Sequence, residues 1–565
     1  MNSIMETDVV IVGGGPVGLS AAMDLDSRGI TSVVIESRQY LEAPNVKCNH
    51  VASRTMERFR QFGVADAVRA AGLPADYPQD IAFRTTMAGI EFGRIPIPSA
   101  AGRRADPVGP DAQWATPEPP HRVNQKFLEP ILMAHTASLP LVTLLNETRY
   151  VDVEPDERGV SVRIADRDGT ERTVRGKFLI GADGGRSVIR KKIGSSFHGD
   201  PVLQRVQSTC IRAPHLYAEM KGERAWAYYT FNPRRNGHVY AIDGVETFLV
   251  HNYLAAEEGE GDGVDRDAAI RTILGVDDSF DYDVLSTEDW VARRLVADSF
   301  RQGRIFIAGD AAHLWVPYAG FGMNAGIADV LNLTWTLGAY LDGWGDEGIL
   351  DTYEAERLPI TDQVSRFAMG HQRKIAQGEV PTEIEDASAA GEAARARLGR
   401  LAYDLNVQQF AAAGLNFGYS YSRSPIIEYD AESAPDYTMG TYIPSTVPGC
   451  RAPHFWLADD VSLYDMLGRG YTILSLGDAS ELGGLLDAAA VAGMPLTVVD
   501  VDPSRVPETY RHRFVIVRDD QHVAWRGDQA PGDPNALIDR LRGRIPLSAS
   551  TVPANEVGAA VGETT

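Results

Sequence analysis

Residues 8–36, DVVIVGGGPVGLSAAMDLDSRGITSVVIE, constrain the fold more than any other stretch of this chain. They read as a strand to Val12, glycines at 13, 15 and 18, a helix, and a second strand closed by Glu36, which together make a βαβ unit. Gly13 permits the tight turn, Gly15 lets a pyrophosphate approach the backbone at a helix N-terminus, and Gly18 allows close packing of helix on strand. Ala22, Leu25 and Gly29 continue the packing pattern. Glu36 suits a bidentate grip on an adenosine ribose, and its charge disfavours a 2′-phosphate, so the loop is expected to hold FAD or NAD rather than NADP. Pro16, Ser37 and Arg38 flank these contacts and join the candidate cofactor residues.

Two later stretches repeat the strand-to-turn pattern. GKFLIGADGGRSVIRKKIG ends an apolar strand at Asp183 and Gly184, with Arg186 opening a helix. GRIFIAGDAAHLWVPYAGFGMNAGIADV places Asp310 at the carboxyl edge of a strand, where open α/β sheets bind ligands. Its helix carries Ile327, Leu331, Trp335 and Gly338 at helical spacing, so one face is core. The first turn, with Gly320, Gly322, Met323 and Asn324, offers unpaired N–H groups and a positive dipole end suited to negative charge on a bound cofactor. Three strand ends converging on one elongated ligand favour FAD, since NAD in a simple dehydrogenase needs only the first.

The chain carries 54 basic and 77 acidic residues, a net charge of −23, which disfavours nucleic acid or an anionic membrane as partner. Cys48, Cys210 and Cys450 give neither a disulfide framework nor metal-ligand spacing, so no metal is expected. No apolar run reaches the roughly 18 residues of a membrane span, and MNSIMETDVV lacks a basic n-region, which together predict a cytoplasmic protein.

GxGxxG at 13–18, Asp183-Gly184 and Gly309-Asp310 match, in order and spacing, the class A flavoprotein monooxygenases of the para-hydroxybenzoate hydroxylase and phenol hydroxylase type. The chain resembles that family over roughly residues 5–375. The resemblance implies that Asp310 binds the ribityl chain of non-covalent FAD. SRTMERFRQFG and RVNQKFLEPIL also match family segments, so Arg54 and Gln125 are implied FAD contacts. Val316-Pro317 stands where family members often carry two prolines, placing Pro317 against the flavin. The implied activity is hydroxylation of a small phenolic or related aromatic substrate with O2 and NADPH or NADH, through a flavin C4a-hydroperoxide, the reductant docking transiently. A Baeyer-Villiger or epoxidising oxygenase on the same scaffold is the alternative, and a non-catalytic flavin-bound sensor a remote one. A homodimer is a further expectation.

RAWAYYTFNPRRNGHVYAIDGVETFLVHNYL reads as antiparallel strands, which in the family roof the flavin and line the substrate cavity. Alternation puts Trp226 and Tyr228 on one face and Tyr229 on the other. Tyr228, Tyr229, Tyr240 and His251 are the candidates for orienting or deprotonating a phenol. The Pro/Gly-rich stretch 94–122 reads as either a gating loop or a solvated insertion.

The expected architecture is therefore α/β: a Rossmann-like FAD-binding domain over 1–375, interleaved with a substrate-binding sheet at about 80–120 and 195–300. A helical connector at 376–445 follows, then a thioredoxin-like domain at 446–545 lacking CxxC, and a disordered tail at 546–565.

Overall fold

The computed structural model describes residues 4–45, 47–105, 108–112, 114–261, 263–315, 320–376 and 380–544. The expected tail and Pro317 lie outside them.

The strand Val9–Val12 is buried along its whole length. An unbroken apolar run suits a parallel strand covered on both faces. It lies inside a six-stranded sheet, ordered Arg301–Gln302, Ile305–Ile307, Phe178–Gly181, Val9–Val12, Ser32–Ile35 and Val142–Leu145 among the described residues. All pairings are parallel except that of the Arg301 edge strand. The helices Pro16–Ser27 and Phe321–Leu341 pack against each other. A meander built from Thr148–Asp156, Gly159–Asp166 and Glu171–Gly176 adds Val153, Val162 and Val174 to the same core.

A second sheet of eight described strands is assembled from distant pieces. Its order is His313–Leu314, Asp283–Ala297, Phe197–Arg212, Thr247–Tyr253, Gly237–Ala241, Ala227–Thr230, Ile81–Arg84 and Glu91–Ile95. One face packs Tyr228, Val239 and Val250 on Ile270 and Ile273 of the helix Arg266–Leu274. The other face carries Trp226, Tyr229 and Tyr240. Trp226 thus sides with Tyr229 and not with Tyr228, contrary to simple alternation, because the strand begins only at Ala227 and Trp226 lies outside its pleat. Within the stretch 94–122, the buried Asp111 pairs with Arg103.

The C-terminal unit is a mixed four-stranded sheet ordered Leu496–Asp500, Tyr471–Ser475, Phe514–Arg518 and Val523–Gly527, with helices Gly483–Val491 and Pro534–Leu541. Its hairpin tip packs against residues from much earlier in the chain. Asp519 pairs with Arg28 and Arg58, Arg518 clasps Glu356 and Asp520, and Gln521 donates to Glu57 at 2.9 Å. Asp519, Asp520, Gln521 and His522 are all buried, so the two units share a charged interior seam. Such pairs gain their stability only when every partner is present. No described helix is long and apolar enough to cross a membrane.

Candidate active site

A cavity of about 680 Å3 lies where the strand-to-helix turns of the parallel sheet meet the eight-stranded sheet. That is within the usual range for a small-molecule site.

The Gly-rich turn is built by contact between distant loops. Gly13 has φ +109°, and a Cβ there would fall 2.2 Å from the carbonyl oxygen of Ala182. A Cβ on Gly18 would fall 1.9 Å from the Gly13 carbonyl oxygen. Gly15, Gly184 and Gly322 behave differently: all three line the cavity, and a Cβ on any of them would meet no atom within 4 Å. Their open sides form a cradle facing the cavity. Gly15 also caps the Pro16–Ser27 helix without a side-chain hydrogen bond, leaving first-turn N–H groups for an anion. Pro16, Gln125, Gly320 and Met323 line the same wall.

Asp310 opens into the cavity, and no described residue donates a hydrogen bond to it. The residue is exposed towards the cavity, yet partial desolvation by the surrounding protein raises its pKa, with the charges of His313 and Lys47 opposing the shift. Behind it, Asp329 accepts from His313 Nε2 at 2.6 Å, Arg357 Nε at 2.9 Å and the Gly309 N–H at 3.2 Å, fixing the Gly309-Asp310 turn.

Several other residues stand elsewhere than the sequence suggests. Glu36 accepts from the Gly14 and Arg38 N–H groups, each at 2.8 Å, and does not line the cavity. Burial opposes its ionisation, but hydrogen bonds from Arg38 and Gly14 outweigh that and hold the pKa below its ordinary value. It clamps the glycine turn, while Arg38, which also grips Glu129 at 2.7 Å, is the side chain that reaches the cavity. Ser37 donates to Glu36 at 3.3 Å. Asp183 caps the helix Val188–Lys192, accepting from the Val188 N–H at 2.7 Å, and leaves the wall to Gly184. Arg54 points away, donating to the Asp520 carbonyl at 3.1 Å with its guanidinium 4.8 Å above the Tyr419 ring. It is drawn there by the hairpin tip. Asn324 is a latch: its Oδ1 accepts from Ala52 N and Thr55 Oγ1, and its Nδ2 donates to the His50 and Gly320 carbonyls.

On the sheet side, Tyr229, Tyr240 and His251 line the cavity and Tyr228 does not. The Tyr228 hydroxyl accepts from the buried Ala225 N–H at 2.8 Å on the far face. Tyr228→Phe is therefore expected to lower stability by about 1–3 kcal/mol, the cost of an orphaned buried donor, and to leave turnover unchanged. Thermal unfolding and steady-state rates of the variant check this, and collapsed turnover in a stable variant would contradict the placement.

His251 belongs to a relay that the sequence reading misses. Trp290 Nε1, a donor only, gives its proton to Ser208 Oγ at 2.6 Å, so the Ser208 hydroxyl is assigned as donor to His251 Nδ1, also at 2.6 Å. The ring proton then sits on Nε2. Burial lowers the pKa of His251 to about 4, which keeps the ring neutral at physiological pH. His238, stacked on Tyr229 at 3.5 Å, receives the Tyr253 hydroxyl at 2.9 Å, and burial followed by the nearby His251 drives its pKa well down. Burial pushes the Tyr240 hydroxyl up to about 12. His238 and Tyr253 lie two residues from Tyr240 and His251 on their strands, so period-two spacing was the signal that could have found them.

Residues 6–368 match the family described as FAD binding domain, and residues 445–544 the family described as aromatic-ring hydroxylase, C-terminal. The chain belongs to the class A FAD-dependent aromatic monooxygenases. This monooxygenase is 31% identical to phenol 2-monooxygenase of Pseudomonas sp. (strain EST1001), over 96% of this chain and 93% of the relative. It is 30% identical to tetracenomycin B2 monooxygenase-dioxygenase of Streptomyces olivaceus, over 96% and 99% of the two chains. The solved structure of RebC with bound 7-carboxy-K252c aligns with a TM-score of 0.87 at 33% identity, covering 96% of this chain and all of that one. The glycine cradle and the unpaired Asp310 carboxylate fit FAD, whose phosphates need N–H donors and whose hydroxyls need an acceptor.

Proposed function

We propose that this monooxygenase hydroxylates a phenolic ring using O2 and NAD(P)H. The observation carrying the reading is the cavity's composite lining: glycine turns and Asp310 come from the parallel sheet, and Tyr229, Tyr240 and His251 come from strands of the eight-stranded sheet. Relatives named as phenol and chlorophenol monooxygenases support a phenolic substrate. FAD, when bound, supplies the redox chemistry.

The chain's own tasks are to bind, orient and exclude water. Asp310 and the open glycines hold the cofactor. The first turn of the Phe321–Leu341 helix, with no acidic residue, presents N–H donors that stabilise negative charge next to it. His251 Nε2–H donates to the substrate's phenolic oxygen and orients it, since a ring neutral down to about pH 4 is a poor proton acceptor. Tyr229 and Tyr240 pack the ring and keep the site dry. Division of the chain into a 1–375 cofactor and substrate part, a 376–445 connector and a 446–545 C-terminal domain belongs to the same proposal, as does its cytoplasmic setting.

Phenols screened with the FAD-loaded protein should include some that accelerate NAD(P)H consumption and are recovered one oxygen atom heavier with the ring intact. Ring-opened or ring-expanded products would reject hydroxylation. Stopped-flow reduction of the flavin with and without such a phenol tests substrate gating, and equal rates would argue for an ungated flavoenzyme.

A further inference from the structure

Arg122 is 3% exposed and lines the large cavity, yet none of its N–H groups has an acceptor among the described residues. Other buried arginines each have at least one acceptor: Arg451 has Glu57, Arg518 has Glu356 and Asp520, Arg357 has Asp329, and Arg190 has the Ala311 and Gly185 carbonyls. Asp111, the anionic group nearby, is already held by Arg103. What Arg122 does have is an aromatic seat. Its guanidinium carbon lies 4.2 Å from the Trp226 ring centroid and 6.0 Å from that of Phe410, a setting that supports the charge while leaving the donors unused. A buried guanidinium is always charged at neutral pH and strongly demands an acceptor. Burial lowers its pKa, but only to about 10.

We infer that Arg122 anchors a carboxylate on the aromatic substrate. The planar fork of N–H donors matches a carboxylate in two parallel hydrogen bonds, which a neutral amide or hydroxyl cannot repeat. Its seat on Trp226, which packs with Tyr229, places this anchor against the aromatic face of the eight-stranded sheet, whereas Gly15, Gly184 and Asp310 belong to turns of the parallel sheet. The substrate class is then an aromatic acid carrying a phenolic hydroxyl, with His251 receiving the hydroxyl oxygen and Arg122 the carboxylate. This inference rests on the aromatic hydroxylase reading and sharpens it.

The test uses the FAD-loaded full-length protein and two matched probes, a hydroxynaphthoate and the corresponding hydroxynaphthamide, titrated at neutral pH against the visible flavin spectrum. The wild type should bind the carboxylate roughly ten- to a hundredfold more tightly than the amide, the range expected of charged hydrogen bonds. Arg122→Met should bring that ratio to about one at unchanged FAD content, and Arg122→Lys, which keeps the charge but loses the fork, should retain part of it. Equal binding of the two probes by the wild type would overturn the inference, even if Arg122→Met fails to fold. So would a preference that survives in Arg122→Met, or loss of FAD from that variant with the preference intact, which would make Arg122 a cofactor residue. Stimulation of NAD(P)H oxidation by neutral phenols reports separately on the hydroxylase reading, so the two can fail independently.

Discussion

Asp310→Ala is expected to emerge from purification nearly colourless, with affinity for FAD lowered roughly ten- to a hundredfold. The carboxylate stands at the mouth of the Ile305–Ile307 strand with no protein donor among the described residues, so hydroxyls of the cofactor are its natural partners. Charge-assisted hydrogen bonds contribute about 1.5–3 kcal/mol, and their loss sets the size of the effect. The apoprotein should not be destabilised, because the exposed carboxylate accepts no hydrogen bond from a described residue. The pH dependence has a definite sign. In the apoprotein partial desolvation raises the pKa of Asp310, so this group's contribution to stability falls as pH rises through the raised value. Hydroxyl donors favour the charged form. Affinity for FAD should therefore fall as pH is lowered through that raised value, and Asp310→Ala should abolish this dependence. Fluorescence titration of the apoproteins with FAD measures both, and wild-type affinity in the variant would remove Asp310 from the cofactor site.

Asp329→Ala is expected to cost about 3–5 kcal/mol of stability, the penalty for stripping one partner from a buried ion pair. Asp329 is wholly buried and serves Arg357, His313 and the Gly309 N–H together, so its removal strands a guanidinium in the core and frees the turn that aims Asp310. Burial alone would raise its pKa, but the charges of His313 and Arg357 prevail and lower it. A lowered folded value means that the stabilisation is present above the ordinary carboxyl range and is lost as pH falls through the folded pKa. Thermal unfolding between neutral and acid pH should show the variant melting earlier, with the gap narrowing in acid. A wild-type melting profile would show the network to be dispensable.

What could be read from the sequence was what local pattern dictates. The βαβ unit announces itself through glycine spacing and a wholly apolar strand, and Gly309-Asp310 through its place after RIFIA. The meander between residues 148 and 176 went unread, although VSVRIAD alternates as a strand does. Side-chain partners were not legible where a distant residue or the local backbone supplies them. Arg54 donates to the Asp520 carbonyl, 466 positions away, and Asp183 accepts from the first turn of the helix that follows it. Trp226 was misplaced because alternation holds only inside a strand, and the strand starts one residue later. Arg122 stands out because it has no acceptor among the described residues, a property that exists only once the chain is folded.

The interlaced order of the central sheet bears on how such a chain is made. Val9–Val12 pairs with Phe178–Gly181, which in turn pairs with Ile305–Ile307. Ribosomes add about 5–20 residues per second, so the first strand waits roughly ten to thirty seconds for one neighbour while presenting an apolar edge. The turn holding Asp310 comes later still, and the Asp519–Gln521 tip that braces Arg28, Arg58 and Glu57 is among the last described segments to emerge. Cofactor loading is thus an event of the finished chain, and the half-made protein depends on whatever shields that edge in the meantime.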